Sequence, residues 1–201
     1  MTITLIIARH GNTFNPDQTP TRVGTRTDLP LVQSGEDQAL RLGHHLKSQK
    51  LIPNFIFTSN LRRTIDTARL ICVAMMCTAP HTPLSFLNEI DYGIDENKPE
   101  PDVIARLGDL TLKRWNELGE MPDGWSPRPD IILNSWKFFL DGCIKEHQNK
   151  TILIVTSNGI ARFALNHADN GHAIPMKLAT GSYGILKYNE KWTVTDWNVK
   201  P

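Results

Sequence analysis

The chain has 201 residues, of which 40% are hydrophobic and 21% charged, and its formal net charge is +1. This length and composition are typical of one globular domain with a substantial core, so we expect a single domain over residues 1–201. The near-neutral charge argues against a nucleic-acid-binding or membrane-surface protein, because both classes favour a strongly basic face.

The cysteines and the N-terminus bear on the compartment. Three cysteines, at positions 72, 77 and 143, form no CxxC pair, which favours packing thiols in a reducing compartment over a disulfide framework or a zinc site. No basic leader precedes the first apolar run, and no apolar run approaches the ~20 residues of a membrane span. The sequence therefore predicts a cytoplasmic protein.

The first predicted element is a buried strand that ends at Arg9-His10-Gly11. Its apolar residues run to Ala8, and the glycine then begins a long polar loop from Asn12 to Pro30. Loops of such length tend to be functional. A helix is predicted from Ser34 to Lys47, with Ser34 and Asp37 resembling a capping box.

A second helix is predicted after a short buried strand at residues 55–58. Ser59 or Asn60 is the expected N-cap, and an apolar stripe runs from Leu61 to Met75. Arg62 and Arg63 lie in the first turn, where the helix N-terminus already carries partial positive charge, so they favour an anionic ligand. A solvated polar face explains them equally well at this stage.

The middle of the chain changes character. A short strand is predicted from Pro83 to Leu87, and it leads into the acidic segment that contains Glu89. Residues of about 92–148 then form a predicted helical insertion packed over one end of the sheet, with helical patterns at about 101–118 and 129–147. Trp115, Trp125 and Trp136 lie in this insertion, where core packing is favoured over a pocket wall.

The C-terminal third contains the same pattern as the first strand, an apolar run followed by polar residues and a glycine. Residues 151–156 are a strongly apolar strand, and Ser157-Asn158-Gly159 opens a helix directly after it. Residues 183–188 and 191–198 alternate in polarity around Asn189-Glu190, which predicts a terminal β-hairpin.

Alternating strands and helices indicate an α/β fold. We expect a three-layer sandwich with a mostly parallel sheet, helices on both faces, an antiparallel edge and a C-terminal β-hairpin. Ligands bind where the carboxyl ends of such strands meet. We therefore expect Arg9-His10, Arg63, Glu89 and Asn158-Gly159 to face one pocket, which suits chemistry on an anion such as phosphate.

Four segments in order resemble the histidine phosphatase superfamily, also called phosphoglycerate mutase-like. Arg9-His10-Gly11 matches its RHG signature, and residues 24–39 follow its G…D…PL…G..QA pattern. Residues 59–68 look like its SxLxRAxxTA helix start, which selects Arg63 over Arg62. Residues 87–93 look like its acid/base segment around Glu89.

The resemblance implies a phosphohistidine mechanism. Neutral His10 would attack the phosphorus of a phosphomonoester, Arg9 and Arg63 would hold the phosphoryl oxygens, and Glu89 would act as acid and then base. No metal or cofactor is expected, because the arginines neutralise the charge. The other residues predicted to surround the phosphate are Gly11, Asn12, Thr13, Asn15, Gly24 and Gly159.

Asn158 departs from the family, which has a second histidine there. Asparagine donates a hydrogen bond but carries no charge, and losing charge assistance costs about 1–2 kcal/mol, or roughly tenfold in rate. The primary interpretation is a phosphatase. A phosphoglycerate mutase stays open, although no Arg-x-Tyr-Gly follows Glu89, and so does a phosphate-ester-binding protein that has lost turnover.

The expected partner is a small phosphomonoester or inorganic phosphate, with no nucleic acid and no membrane. Arg22 and Arg26 in the long loop could bind a second anionic group of the substrate, although solvated loop charges are the slightly favoured interpretation. The insertion that would set selectivity carries no motif, so the substrate and the oligomeric state are not readable from the sequence.

Overall fold

The computed structural model describes residues 1–201 and contains one six-stranded sheet. Its strands in spatial order are β3 (His81–Pro83), β2 (Phe55–Thr58), β4 (Thr151–Thr156), β1 (Ile3–Arg9), β5 (Tyr183–Asn189) and β6 (Lys191–Val199). The first four are parallel to their neighbours, whereas β5 and β6 run antiparallel at one edge. The predicted α/β fold with its C-terminal hairpin is confirmed.

Helices cover both faces of the sheet. The six α-helices are α1 (Gln33–Ser48), α2 (Arg62–Met75), α3 (Glu100–Leu107), α4 (Asp109–Leu118), α5 (Pro129–Glu146) and α6 (Asn158–Ala161). Successive side chains of a strand point to opposite faces, so Ile6 and Ala8 of β1 pack with α1 and α2, while Leu5 and Ile7 pack with the helices of the insertion. None of the helices has the length and apolar composition needed to cross a membrane.

The insertion shares a core with the sheet. Val103 of α3, Trp115 of α4 and Trp136 of α5 are buried in the same cluster as the strand residues of that face. The Trp136 indole donates a hydrogen bond of 2.9 Å to the carbonyl of Ile160 in α6. This contact ties the insertion to the segment that follows β4.

Two element boundaries in the middle of the chain differ from the sequence prediction. The strand predicted at 83–87 lies at His81–Pro83, because the next residues turn into a 3-10 helix at Ser85–Leu87. The helical pattern at 101–118 is two helices, because Gly108 has a φ of 80° and interrupts the helix between α3 and α4. A positive φ at glycine carries no steric penalty.

Both predicted helix caps are wrong in detail. The N-cap positions are Val32 for α1 and Leu61 for α2, and neither makes a side-chain cap hydrogen bond. The hydroxyl of Ser59 instead accepts the N–H of Leu61 at 3.2 Å and lies 2.6 Å from the hydroxyl of Thr64. The other predicted cap residues make tertiary hydrogen bonds instead: Ser34 accepts from the Asn12 side chain at 3.3 Å, and the Asn60 side chain donates to Ser85 at 3.1 Å.

Candidate active site

A cavity of about 630 Å³ lies at the carboxyl ends of β1 and β4. Only four of its 21 lining residues are hydrophobic, which suits a polar ligand. Arg9, His10, Glu89 and Asn158 all line it. The structure therefore brings together, around one cavity, four of the five residues for which the sequence predicts a catalytic role.

His10 is buried and held in one orientation. Its Nδ1 lies 2.7 Å from the carbonyl oxygen of Gly11, and a carbonyl can only accept a hydrogen bond. We therefore assign the proton to Nδ1, which leaves the lone pair on Nε2. Burial lowers the pKa of His10 well below its usual value, and the charges of Arg63 and Arg9 lower it further, so the ring is neutral at pH 7.

Gly11 allows the turn after His10 to pack against the start of α1. A Cβ at Gly11 would lie 2.2 Å from the carbonyl oxygen of Gly35, so a larger residue would displace the turn. The Gly11 N–H donates to the hydroxyl of Thr67 at 3.1 Å. The glycine of the RHG signature thus fixes His10 through backbone packing, and it does not itself line the cavity.

Arg63 is fully buried and does not line the cavity. Its two terminal nitrogens donate to the carbonyl oxygens of Thr27 at 2.9 Å and Gly24 at 3.1 Å. Burial lowers the pKa of Arg63, while the charges of Glu89 and Asp28 oppose that shift. The long loop therefore holds the guanidinium in place, where its charge acts on both His10 and Glu89.

The Nε–H groups of Arg9 and Arg63 are both buried without an acceptor. Arg9 donates from one terminal nitrogen to the carbonyl of Leu178 at 3.0 Å, and Glu89 opposes the burial that lowers its pKa. An unpaired buried donor costs about 1–3 kcal/mol. These two Nε–H groups are therefore donors that the protein itself leaves without a partner.

Glu89 is oriented by backbone groups. Its Oε1 accepts the N–H of Ile90 at 2.9 Å, and its Oε2 accepts the N–H of Gly159 at 3.3 Å. A Cβ at Gly159 would lie 2.1 Å from Oε1. Gly159 therefore makes room for the carboxyl group, and this close approach is its contribution to the site, since it does not line the cavity.

Asn158 lines the cavity, and its amide is held by one hydrogen bond. Its Oδ1 accepts the N–H of Leu178 at 2.7 Å, which fixes the amide so that Nδ2 points away from that bond. Nδ2 has no acceptor in the protein and is free to donate to a ligand.

Three of the four loop residues predicted to contact phosphate line the cavity. Asn12, Thr13 and Asn15 line the cavity, whereas Gly24 does not. The backbone N–H groups of Asn12 and Asn15 already donate to glutamine side chains, each at 2.8 Å. Gly24 approaches the carbonyl of Ile90, which a Cβ would meet at 2.3 Å. Thr13 is therefore the loop residue with the least committed hydrogen-bonding groups.

The solvated interpretation is wrong for Arg22 and fits Arg26. The Arg22 side chain is only 10% exposed, pairs with Glu100 and lines the cavity. Its guanidinium lies 4.9 Å from the ring centre of Trp125. Arg26 is 55% exposed and pairs with Asp91 at 3.0 Å. The burial of Arg22 comes from aromatic residues distant in sequence, which the loop sequence does not reveal.

Arg162 is a cavity residue that the sequence analysis missed. It is buried, lines the cavity and donates to the carbonyls of Trp115 at 2.7 Å and Asn158 at 3.2 Å. Its position four residues after Asn158 places both on the same helical face. This spacing of four residues from Asn158 is the sequence feature that could have indicated Arg162 as a site residue. Among His, Cys, Asp and Glu side chains, no group of three is placed to hold a metal ion.

Comparison with known proteins gives the family. The model of the histidine phosphatase superfamily, branch 1, matches residues 5–200. A 2,3-bisphosphoglycerate-dependent phosphoglycerate mutase of Methylorubrum populi is 37% identical over 164 residues, covering 80% of this chain and 76% of the mutase. The enzyme of that name from Bifidobacterium longum is 34% identical over 116 residues, and this match spans 57% of this chain and 46% of the mutase.

Solved structures share the fold. A mycobacterial glucosyl-3-phosphoglycerate phosphatase has a TM-score of 0.78 at 20% identity and full coverage of both chains. A phosphoglycerate mutase from Bacillus anthracis has a TM-score of 0.80 at 19% identity, covering 98% of this chain and 93% of the mutase. An Entamoeba histolytica phosphoserine phosphatase has a TM-score of 0.74 at 21% identity, with 98% of each chain covered. The family match over nearly the whole chain, together with this fold, establishes that the protein belongs to the histidine phosphatase superfamily, branch 1.

Proposed function

We propose that this protein is a phosphomonoesterase that hydrolyses a small phosphorylated substrate through a phosphohistidine on His10. One observation carries the proposal: a buried, neutral imidazole lies close to two buried guanidiniums whose Nε–H groups lack acceptors. The imidazole is suited to act as a nucleophile, and the two guanidiniums are suited to bind the negatively charged oxygens of a phosphoryl group.

In the first step, Nε2 of His10 attacks phosphorus and the bond from phosphorus to the leaving oxygen breaks. Arg9, Arg63 and the amide of Asn158 donate hydrogen bonds to the phosphoryl oxygens. A proton that the substrate's phosphoryl group brings in passes through Glu89 to the leaving alcohol. The products of this step are phosphohistidine, the free alcohol and the Glu89 carboxylate.

In the second step, water attacks the phosphohistidine from the side that the alcohol has left. The Glu89 carboxylate takes a proton from that water while the bond between phosphorus and Nε2 breaks. Glu89 passes this proton to the departing inorganic phosphate, so both His10 and Glu89 return to their starting protonation states. The cationic side chains supply the charge neutralisation, so the mechanism invokes no metal or cofactor.

Trapping of the intermediate tests the proposal. Wild-type protein mixed with a ³²P-labelled aryl phosphate and quenched in alkali should retain acid-labile label, and His10→Ala should retain none. His44→Ala is a matched control, because His44 is an exposed histidine of α1. Hydrolysis that survives His10→Ala would contradict the proposal.

A phosphoglycerate mutase is the second candidate, because the relatives that cover most of this chain carry that name. Against it, the position of the arginine in a mutase-like Arg-x-Tyr-Gly is occupied here by Ile90, which is completely buried in the core. Incubation with a phosphoglycerate separates the two functions. We expect release of inorganic phosphate, and isomerised phosphoglycerate without phosphate release would establish the mutase.

The third alternative is a phosphate-ester-binding protein without turnover, which the loss of the second histidine suggests. Wild-type activity on an aryl phosphate no higher than that of His10→Ala would favour it. A cytoplasmic location stays a prediction, with which the three free thiols Cys72, Cys77 and Cys143 are consistent.

A further inference from the structure

We propose that Arg22 and Arg162 form a second anion subsite in the same cavity, so that the substrate is a small phosphomonoester with a second anionic group, a carboxylate or a second phosphate. This inference rests on the proposed function, since it assumes that the phosphoryl group occupies the space beside His10. It assigns a role to two arginines that the phosphohistidine mechanism does not use.

An aromatic cluster of Tyr92, Trp115 and Trp125 holds both arginines. The rings of Tyr92 and Trp125 meet edge to face at 4.7 Å, and those of Trp125 and Trp115 at 5.5 Å. The guanidinium of Arg22 lies 4.9 Å from the ring centre of Trp125, and that of Arg162 lies 4.5 Å from the ring centre of Trp115. Two cations are thus fixed on one rigid support, which is typical of a preorganised recognition site.

Hydrogen bonds orient each guanidinium but leave donors unused. Arg162 uses Nε and one terminal nitrogen on the carbonyls of Asn158 and Trp115, and its other terminal nitrogen has no acceptor in the protein. Arg22 uses one terminal nitrogen on Glu100, while its Nε is buried without a partner. Planar guanidiniums with free donors suit a carboxylate or a phosphate.

The charges around the cavity are unbalanced. Arg9 and Arg63 are accounted for by the phosphoryl group, and Arg22 has Glu100, but Arg162 pairs with no carboxylate. Burial lowers the pKa of Arg162, the charge of Glu89 opposes that shift, and the charges of Arg9 and Arg22 add to it. A buried cation that forms no direct ion pair is costly. An anionic group of the substrate, shared with Arg22, offsets this cost.

Matched substrates test the subsite. Phosphoglycolate carries a carboxylate where 2-hydroxyethyl phosphate has a neutral hydroxymethyl group, and ethylene glycol bisphosphate carries a second phosphate there. We expect kcat/KM to be about 10- to 100-fold higher for at least one of the two charged substrates than for 2-hydroxyethyl phosphate, because hydrogen bonds to charged groups have that strength. The difference should lie mainly in KM, and the better of the two charged substrates identifies the second anion.

Charge-removing variants locate the preference. Arg162→Gln and Arg22→Gln should each reduce the ratio of charged to neutral kcat/KM about tenfold or more. Arg26→Gln is the matched control, because Arg26 is an exposed arginine of the same loop that does not line the cavity, and it should keep the wild-type ratio. Two separate variants keep the test valid if one of them fails to fold, as judged by thermal unfolding.

The outcomes separate this inference from the proposed function. Equal kcat/KM for all three substrates, with His10-dependent hydrolysis of an aryl phosphate intact, overturns the subsite and leaves the phosphatase standing. An equal loss on charged and neutral substrates in both variants assigns the arginines a merely structural role and also overturns it. If nothing is hydrolysed, calorimetric titration of the wild-type protein with phosphoglycolate and 2-hydroxyethyl phosphate decides, and equal Kd values refute the subsite.

Discussion

Gly159→Ala is the most local perturbation of the proposed acid/base. The added Cβ would lie 2.1 Å from Oε1 of Glu89 and 2.8 Å from Cγ1 of Ile90, both closer than real Cβ contacts. The carboxyl group therefore has to move by about 1 Å, and a misplacement of that size in a catalytic group costs roughly 100-fold in rate. The upper limit is full loss of general acid/base catalysis, about 10²- to 10⁴-fold.

The assay compares two leaving groups. An alkyl phosphate needs protonation of its leaving oxygen, whereas an aryl phosphate with an acidic phenol needs little. Displacement of Glu89 should therefore lower kcat for the alkyl substrate by about 100-fold and for the aryl substrate by less. A loss that is identical for both substrates would mean that the alanine disturbs phosphate binding and not proton transfer.

Gly142→Ala controls for the substitution itself. Gly142 lies within α5, and a Cβ there meets nothing within 4 Å. We expect unchanged kinetics and a gain of about 0.5–1 kcal/mol in the free energy of unfolding, because alanine loses less backbone entropy than glycine in a helix. Wild-type kinetics in Gly159→Ala on both substrates would refute the placement of Glu89 as the acid.

Three further predictions concern the phosphoryl site. Arg63→Lys should lower kcat/KM about 10- to 100-fold in steady-state assays, because an ammonium cannot serve two loop carbonyls and a phosphoryl oxygen in the fork geometry of arginine. Burial and then the charges of Arg63 and Arg9 lower the pKa of His10 below 6.5, so its ring in the free protein should take up a proton only below pH 6.5. NMR titration, with the resonance assigned by its absence in His10→Ala, checks this, and a midpoint at or above 6.5 contradicts it. Asn158→His should leave kcat unchanged or raise it up to roughly tenfold; a large loss would show that the amide held by Leu178 has its own required role.

The strands next to the site could be predicted closely, because each combines a short apolar run with polar residues at its end. β2 and β4 lie at the predicted residues 55–58 and 151–156. Burial on both faces of a central parallel strand demands such runs. His10 and Asn158 follow directly from this, since they come one and two residues after the ends of central strands β1 and β4. Helix starts were less predictable, because Ser59 bonds to Thr64 across the turn and does not cap α2.

The arginines show the limit of sequence reasoning. An arginine in a polar loop is solvated by default, and nothing near Arg22 in sequence indicates that Trp125 of the insertion covers it. Arg162 sits in an apolar helical stretch, and its burial depends on the carbonyl of Trp115, which lies in α4. The burial of a charge is decided by residues distant along the chain, so it becomes visible only in the fold.

The position of Arg162 changes the meaning of Asn158. From the sequence, replacing the family's histidine with asparagine removes a positive charge from the phosphoryl site. In the fold, the guanidinium of Arg162 donates to the carbonyl of Asn158 itself at 3.2 Å and lines the same cavity. Arg162 thus keeps positive charge at this end of the cavity although it serves the second anion subsite, while the Asn158 amide keeps a directed donor because Leu178 fixes its oxygen. Because this cation remains, the loss of the histidine does not by itself argue for a binding module without turnover.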